Sequence, residues 1–359
     1  MDTVYLEEIL ILNMDQDLKF CGKQLGAGHP AFLVAEIGFN HNGNVDLAKR
    51  MIESAAENGA DAVKLQTFLA GEMISKSLLA DDPDHPGNEI PFYEFFQRYE
   101  LSREDYKVLI AHARTLNIPL FSTPFDDTSL DLLVELGVPA LKIASPDLTY
   151  TQFLERVAET GLPVVLSTGM GNEEEIAQAL QALRKAKSVI LLHCVSNYPS
   201  KYEEMNLACM AGLRQRFELP VGLSDHTLDN FSAVVAASLG AVMIEKHFTL
   251  DRKMPGVDQS ISMQPDDLRQ LKSDILNVTK ILGEGKKEIQ KSEIAVRQSA
   301  RRSLVARVDI PAGTPLQSAM LTCKRPGTGI PPDQLDRVLG KSARVAIPAE
   351  QVLTWGMVE

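Results

Sequence analysis

The 359-residue chain is poor in cysteine, and its four thiols are not paired in sequence. Cys21, Cys194, Cys209 and Cys323 lie far apart with no CxxC spacing. That spacing offers no thiolate cage for zinc and fits reduced thiols in a cytoplasmic protein. Long apolar runs are missing too: none approaches the roughly 18–20 residues needed to cross a bilayer, so no membrane partner is expected. The short "ILIL" near the N-terminus has no basic flank before it and does not read as a signal peptide. Positive charge is in deficit, with 36 Lys and Arg against 48 Asp and Glu and a formal net charge of −12. This balance disfavours nucleic acid as a partner. It leaves room for an anionic small molecule, provided a few cations converge on it.

What is present is repetition. The length exceeds the usual single core, so one large domain and a small one are expected. From about residue 32, eight short β-rich runs alternate with helical segments: "FLVAEIG" (32–38), "DAVKLQTF" (61–68), "PLFSTPF" (119–125), "ALKIAS" (140–145), "PVVLSTG" (163–169), "VILLHCVS" (189–196), "PVGLSDHT" (220–227) and "VMIEKHFTL" (242–250). The segment "NVDLAKRMIESAAENG" has helical periodicity, with Asn44 placed to cap its start and Gly59 to close its end. "NEEEIAQALQALRKAK" sets acids at its N-terminus and bases at its C-terminus, matching the helix dipole. Eight buried strands with intervening helices predict a (β/α)8 TIM barrel. An open doubly wound sheet is the competitor, but it more often has five to seven strands and a glycine-rich first turn. "EIGFNHNG" is no GxGxxG.

The barrel domain is expected over residues 1–285, its N-terminal extension supplying a β-hairpin under the barrel. A polar linker is expected over 286–300. Residues 301–359 read as a small β-rich module, with short strands separated by "PAGTP", "RPGTG" and "IPAEQ" turns.

In such barrels the chemistry sits at the C-terminal strand ends. Those ends carry Glu36; Lys64 and Gln66; Lys142 and Ser145; Ser167 and Thr168; Ser196, Asn197 and Tyr198; Ser224 and His226; and Glu245 and His247. Pairs two apart share one strand face. Taken singly, each is a solvated charge or a turn residue. Taken together they share one barrel mouth, and so many polar groups are costly to bury without a ligand. Two lysines with several serines suit a phosphate or carboxylate. His226 and His247, on adjacent strands, are placed for one divalent ion, an exchangeable Mn or Mg or a catalytic Zn. Glu36 and Asp258 are placed to ligate the metal, hold a polar substrate or move protons.

"AEIGFNHNGNVDLAKRMIESAAENGADAVKLQTF", "FSTPFD", "LKIAS", "LSTGM", "LLHCVSNYP", "GLSDHTLDN", "EKHFT" and "MPGVDQSISMQPD" together resemble the sialic acid (N-acetylneuraminate) synthase family. "RRSLVARVDIPAGTPL" and "KRPGTGI" resemble its C-terminal antifreeze-like (SAF) domain. The likeness runs in order from about residue 25. It implies a transferase that condenses phosphoenolpyruvate with an N-acyl amino sugar, N-acetylmannosamine in the sialic acid case, using a divalent metal and releasing phosphate. Legionaminate-type and pseudaminate-type synthases share that frame and are the alternatives, with a non-catalytic sugar-binding protein, suggested only by the SAF module, behind them.

The resemblance carries roles onto this chain. His226 and His247 correspond to metal ligands. Lys64, Lys142, Ser145, Ser167, Ser196 and Ser224 fall where phosphoenolpyruvate is held. Glu36, Gln66, Asn88, Tyr198 and Asp258 fall around the sugar, with Glu36 the first choice for proton handling. Arg325 matches an arginine that one subunit's SAF domain contributes to the other's barrel mouth, implying a domain-swapped homodimer. Three departures, Gln259 after Asp258, "PDLTY" with Asp147, and Ser196 in place of an asparagine, are expected on or near the sugar side.

Overall fold

The computed structural model describes residues 18–81, 87 and 89–359. They divide into two compact units, the first ending at Gly285 and the second spanning Lys286–Glu359. No helix among the described residues is long and apolar enough to cross a membrane.

Eight parallel strands close the first unit into a barrel. They are β1 (Phe32–Glu36), β2 (Ala62–Thr67), β3 (Leu120–Pro124), β4 (Leu141–Ile143), β5 (Pro163–Ser167), β6 (Ser188–Cys194), β7 (Val221–Asp225) and β8 (Met243–His247). Each pairs with its neighbour in sequence, and β8 returns to β1. Every expected strand forms, and every one stops short of its expected C-terminal end. The residues beyond leave the sheet and build the mouth loops.

The longer helices of this unit are α1 (Val45–Glu57), α2 (Arg103–Thr115), α3 (Asp127–Glu135), α4 (Thr151–Glu159), α5 (Glu173–Ala182), α6 (Cys209–Phe217), α7 (Phe231–Ser238) and α8 (Pro265–Leu282). Their starts are fixed by side-chain caps where the sequence supplies them. Asn44 accepts from the Leu47 amide, and Ser102 and Asn172 each form a reciprocal capping box. The expected closure of α1 is also seen, with Gly59 at φ +90° just after it.

Two-residue periodicity sorts the strand residues. Odd and even positions point to opposite sides of the sheet. One set packs under the helices: Leu33 and Ala35 of β1, Val63 and Leu65 of β2, Leu223 of β7 and Ile244 of β8 all join the large core with Met51, Leu109, Phe153 and Leu268. The other set fills the barrel interior. Its lower layers are apolar, formed by Phe32, Val34, Ala62, Phe121, Ala140, Val165, Ile190, Leu192 and Met243. Continuing the same alternation upward reaches Glu36, Lys64, Thr123, Lys142, Ser167, Cys194 and Glu245. The apolar plug therefore forms the floor beneath the polar mouth.

A short hairpin, Lys19–Phe20 paired with Lys23–Gln24, lies against that plug. Phe20 meets the Phe32 and Phe121 rings edge-on at 5.3 and 5.7 Å. Residues 1–17, part of the expected extension, lie outside the described residues.

In the second unit β9 (Ser303–Ala306) pairs antiparallel with β10 (Leu321–Lys324), and isolated bridges tie in Ile310–Ile347 and Ala343–Val358. Leu304, Ile310, Leu316, Val338, Ile347 and Leu353 form its core. The stretch expected to be linker is partly ordered. A turn at Lys291–Glu293, boxed by Gln290 and Glu293, leads into a helix at Ile294–Ala300. Its charged composition reads as loop, but local capping supplies the missing start signal.

Candidate active site

The strand register determines which side chains meet. His247 of β8 pairs with Glu36 of β1, and Glu36 pairs with Lys64 of β2. One step lower, Cys194 of β6 pairs with Ser224 of β7, and Ser224 with Glu245 of β8. These two rungs supply most of one wall of the mouth. A cavity of about 250 Å³ opens over them. Glu36, Lys64, Gln66, Lys142, Ser145, Ser167, Ser196, Tyr198, Ser224, His226, Glu245 and His247 all line it, together with Thr123, Phe125, Met170 and Cys194.

Two cations and two carboxylates share this space. Lys64 Nζ lies 2.7 Å from Glu36 Oε2 and 3.8 Å from Glu245 Oε1, and donates to Thr123 Oγ1 at 3.0 Å. Lys142 Nζ lies 3.6 Å from the same Glu245 oxygen and donates to the Ile143 carbonyl at 3.2 Å. Gln66 Nε2 donates to Glu36 Oε1 at 2.9 Å.

Burial pushes the Glu36 carboxyl up from its ordinary range, against the opposing pull of Lys64. Burial acts the same way on Glu245, but Lys142 and Lys64 outweigh it and hold that group low. Burial lowers Lys142, with Glu245 resisting. Two acids in one site are thus driven in opposite directions, a pattern that separates a proton carrier from a permanent anion.

Several groups in the mouth are buried without a hydrogen-bond partner among the described residues: Glu245 Oε2, Ser167 Oγ and His247 Nδ1. Orphaned polar atoms at this depth are expensive unless something binds them. Near Ser167, Gly169 donates its amide to Ser145 Oγ at 2.9 Å. A Cβ at Gly169 would run into Ser196 Oγ and come within 2.8 Å of Ser145 Oγ. The missing side chain keeps this hydroxyl-lined corner open.

His226 and His247 face each other with ring centroids 5.6 Å apart. His226 Nδ1 lies 2.8 Å from the Val195 carbonyl and 3.9 Å from Cys194 Sγ, while the Tyr198 ring covers it at 4.1 Å. The loop after β8 brings Asp258 Oδ2 to 3.6 Å from His247 Nδ1. Burial, then the neighbouring His226 and lysine charges, push His247 well below the ordinary imidazole value. Burial raises Asp258 to about 6, with His226 opposing.

Among the described residues no group of three or more His, Cys, Asp and Glu closes on one point as a finished metal cage. Two imidazoles, one with an unpartnered nitrogen, suit a cation that also takes water or substrate oxygens.

Not every expected residue lines the cavity. Asn88 lies outside the described residues. Arg325 is exposed in the second unit, on a turn held by Ser303, whose hydroxyl donates to the Pro326 carbonyl at 2.7 Å and accepts from the Gly329 amide at 2.9 Å. Thr168 turns away and donates to the Leu192 carbonyl, and Asn197 donates to Glu204.

Gln259, expected on or near the sugar side, is buried next to Asp258 and does not line the cavity. It is 1% exposed and donates to the Asn40 carbonyl at 2.9 Å, while its own carbonyl accepts from Thr249. The amide stitches the loop that carries Asp258 to the loop after β1, because a fully buried side chain must satisfy both of its polar ends.

Thr123, Cys194 and Phe125 went unmarked in the sequence. The alternation that marks Lys64 also points Thr123 and Phe125 inward, but Thr and Phe carry no signal of their own.

The NeuB family profile matches residues 51–287, and the SAF domain profile matches residues 301–359. The N,N'-diacetyllegionaminic acid synthase of Legionella pneumophila is 38% identical over 94% of this chain and 97% of its own length. The enzyme of the same name from Campylobacter jejuni is 42% identical over 87% of this chain and 95% of its own. Among solved structures, the N-acetylneuraminic acid (sialic acid) synthetase of Leptospira borgpetersenii, in complex with citrate, superimposes with a TM-score of 0.70 at 36% identity, covering 78% of this chain and 94% of that one. The closed eight-stranded barrel, the polar mouth and these matches along nearly the whole length lead to one conclusion: the chain belongs to the NeuB family and carries a SAF domain at its C-terminal end.

Proposed function

We propose that this enzyme joins phosphoenolpyruvate to the open-chain aldehyde of an N-acyl hexosamine, giving a nonulosonic acid and phosphate. The observation that carries the reading is the buried pair of lysines, Lys64 and Lys142, set beside unsatisfied hydroxyl and carboxylate oxygens in one cavity. A substrate bearing both a phosphate and a carboxylate gives each lysine an anion and each free hydroxyl an acceptor.

The reaction balances as follows. C3 of phosphoenolpyruvate forms the new carbon–carbon bond to the aldehyde carbon, and the aldehyde oxygen takes a proton. Water adds at C2 and gives up a proton. The C2–O bond to phosphate then breaks, phosphate leaves with the electron pair, and the C2 hydroxyl passes its remaining proton to the departing phosphate as it becomes the ketone. Lys64, Lys142, Ser145, Ser167, Ser196 and Ser224 hold the phosphoenolpyruvate. Glu36, its carboxyl raised by burial, delivers the proton to the aldehyde oxygen. An anionic substrate that competes for Lys64 strengthens that tendency. Gln66, Asn88, Tyr198 and Asp258 receive the sugar. His226 and His247 would hold a divalent ion, Mn or Mg, which supplies polarisation of the aldehyde carbonyl. Arg325 reaches the mouth from the SAF domain of a second copy in a domain-swapped homodimer, a reading that rests on the sequence resemblance and on its exposed position.

For the sugar, N-acetylmannosamine is the reading that follows from the sequence. A doubly N-acetylated hexosamine is the second, favoured by the names of the two relatives at 38% and 42% identity. The test incubates purified protein with phosphoenolpyruvate, Mn and a panel of singly and doubly N-acylated hexosamines while following phosphate release. Release with one member is expected; release with none sinks the proposal.

A further inference from the structure

The two imidazoles of the mouth are each preceded in sequence by a charged residue that turns the other way. Asp225 precedes His226, and Lys246 precedes His247. The register of β7 and β8 sets Asp225 directly opposite Lys246. Because side chains alternate across a strand, both point out of the barrel wall on the side away from the cavity.

There they meet. Lys246 Nζ donates to Asp225 Oδ2 at 2.8 Å and also to the Thr227 carbonyl. Asp225 Oδ1 accepts from the Thr227 amide at 2.9 Å and from Thr227 Oγ1 at 2.8 Å. The side chains of Lys246 and Asp225 are 1% and 0% exposed. The residue on each side of His226, Asp225 through its carboxylate and Thr227 through its carbonyl, is therefore fastened to Lys246, the residue before His247.

A buried ion pair of this kind is weak evidence for stability, since an apolar pair of similar volume serves a core as well or better. What it supplies is geometry. The pair joins two strand ends where the ladder runs out: β7 stops at Asp225 and β8 at His247. The His226 backbone is the first past the end of β7; its own carbonyl accepts from the Ser200 amide at 3.0 Å, and the strut holds the residues on either side of it.

We infer that Lys246, Asp225 and Thr227 form a positioning strut that sets the spacing of His226 and His247 for a shared divalent ion. This rests on the reading of the two histidines as ligands. Groups behind metal ligands commonly govern affinity by 10–100-fold.

The test measures Mn binding to the full-length protein without substrates, from the signal of free Mn in electron paramagnetic resonance. Phosphoenolpyruvate affinity is read in parallel by calorimetry. Lys246→Met should weaken Mn binding about 10–100-fold, with phosphoenolpyruvate affinity changed less than about threefold. Thr227→Val, which removes one hydroxyl and leaves the ion pair, should give a smaller loss in the same direction. It keeps the question answerable if Lys246→Met does not fold. Unchanged Mn affinity in folded variants overturns the strut, and so does a parallel loss of Mn and phosphoenolpyruvate binding. Wild-type protein that takes up no Mn overturns the metal reading itself, which is a different result from an intact site unaffected by the variants.

Discussion

Glu36 and Lys64 face each other at 2.7 Å across adjacent strands, with 2% and 3% of their side chains exposed. Neither charge is tolerable there alone, because a lone buried ion costs several kcal/mol. Removing one partner therefore tests both roles. Glu36→Gln keeps the shape and leaves Lys64 free for an anion. Its kcat should fall about 10²–10⁴-fold, while the KM for phosphoenolpyruvate stays within about threefold. Lys64→Met should raise that KM steeply. If Glu36→Gln retains full turnover, Glu36 is not the proton carrier.

Gly169 offers a second test, through space rather than charge. An alanine there would press against the Ser145 and Ser196 hydroxyls. Gly169→Ala should weaken phosphoenolpyruvate binding by about tenfold or more, since a misplacement of about 1 Å costs that much in a preorganised site. Thermal stability should fall only modestly, because the intruding methyl meets the ends of the Ser145 and Ser196 side chains, which can rotate away. Calorimetric titration reads the first and differential scanning calorimetry the second. Wild-type affinity in Gly169→Ala would remove this corner from the substrate site.

Chelation addresses the histidine pair. Protein stripped with EDTA should lose turnover and recover it with Mn or Mg, and His247→Ala should not recover. Activity that survives complete metal removal would show that the two imidazoles serve the substrate directly.

Arg325 stands exposed on its turn. Arg325→Ala should reduce turnover at least about tenfold, as loss of a charge-assisted contact to substrate does, and leave the melting temperature within about 1–2 °C, the range of a surface substitution. Mixing Arg325→Ala with a barrel-mouth variant such as Glu36→Gln should restore part of the activity if sites are completed between copies. Failure to complement would place the arginine's action within one chain, or outside the site.

His41, in the loop after β1, should cost stability at acid pH. Its imidazole is buried and accepts the Gly43 amide at 3.0 Å, and burial lowers its pKa from 6.5 to about 4. Below pH 6.5 the unfolded chain gains a proton that the folded chain refuses until about pH 4. The stabilisation is therefore whole above 6.5 and is lost progressively as the pH falls to 4, to a limit of about 3 kcal/mol. His41→Asn, which preserves an acceptor for Gly43, should flatten urea midpoints across that window. An unaltered pH dependence would assign the acid limb to other groups.

Much of the site could be read from the chain in advance, and for a simple reason. A parallel strand in a barrel presents alternate residues inward, so Lys64 with Gln66, Ser224 with His226 and Glu245 with His247 had to share faces. What alternation does not supply is registration between strands. That Glu36 lies between His247 and Lys64, and that Glu245 sits within reach of both lysines, follows from the stagger of the closed barrel. Whether Gln259 or its neighbour Asp258 turns toward the mouth is likewise outside the reach of sequence, because loop residues carry no period to say which of them turns inward.

Sequence alone determined the number of strands, the faces they present and the class of side chain at each strand end, because those depend on local periodicity. It also determined the module that follows, through its turn residues. The pairings were decided only by tertiary structure: which lysine answers which carboxylate, which polar atoms stay unsatisfied, and that Asp225 and Lys246 brace the two histidines from behind. These are contacts between residues far apart in the chain, set by barrel closure, and no local pattern encodes a distance across it.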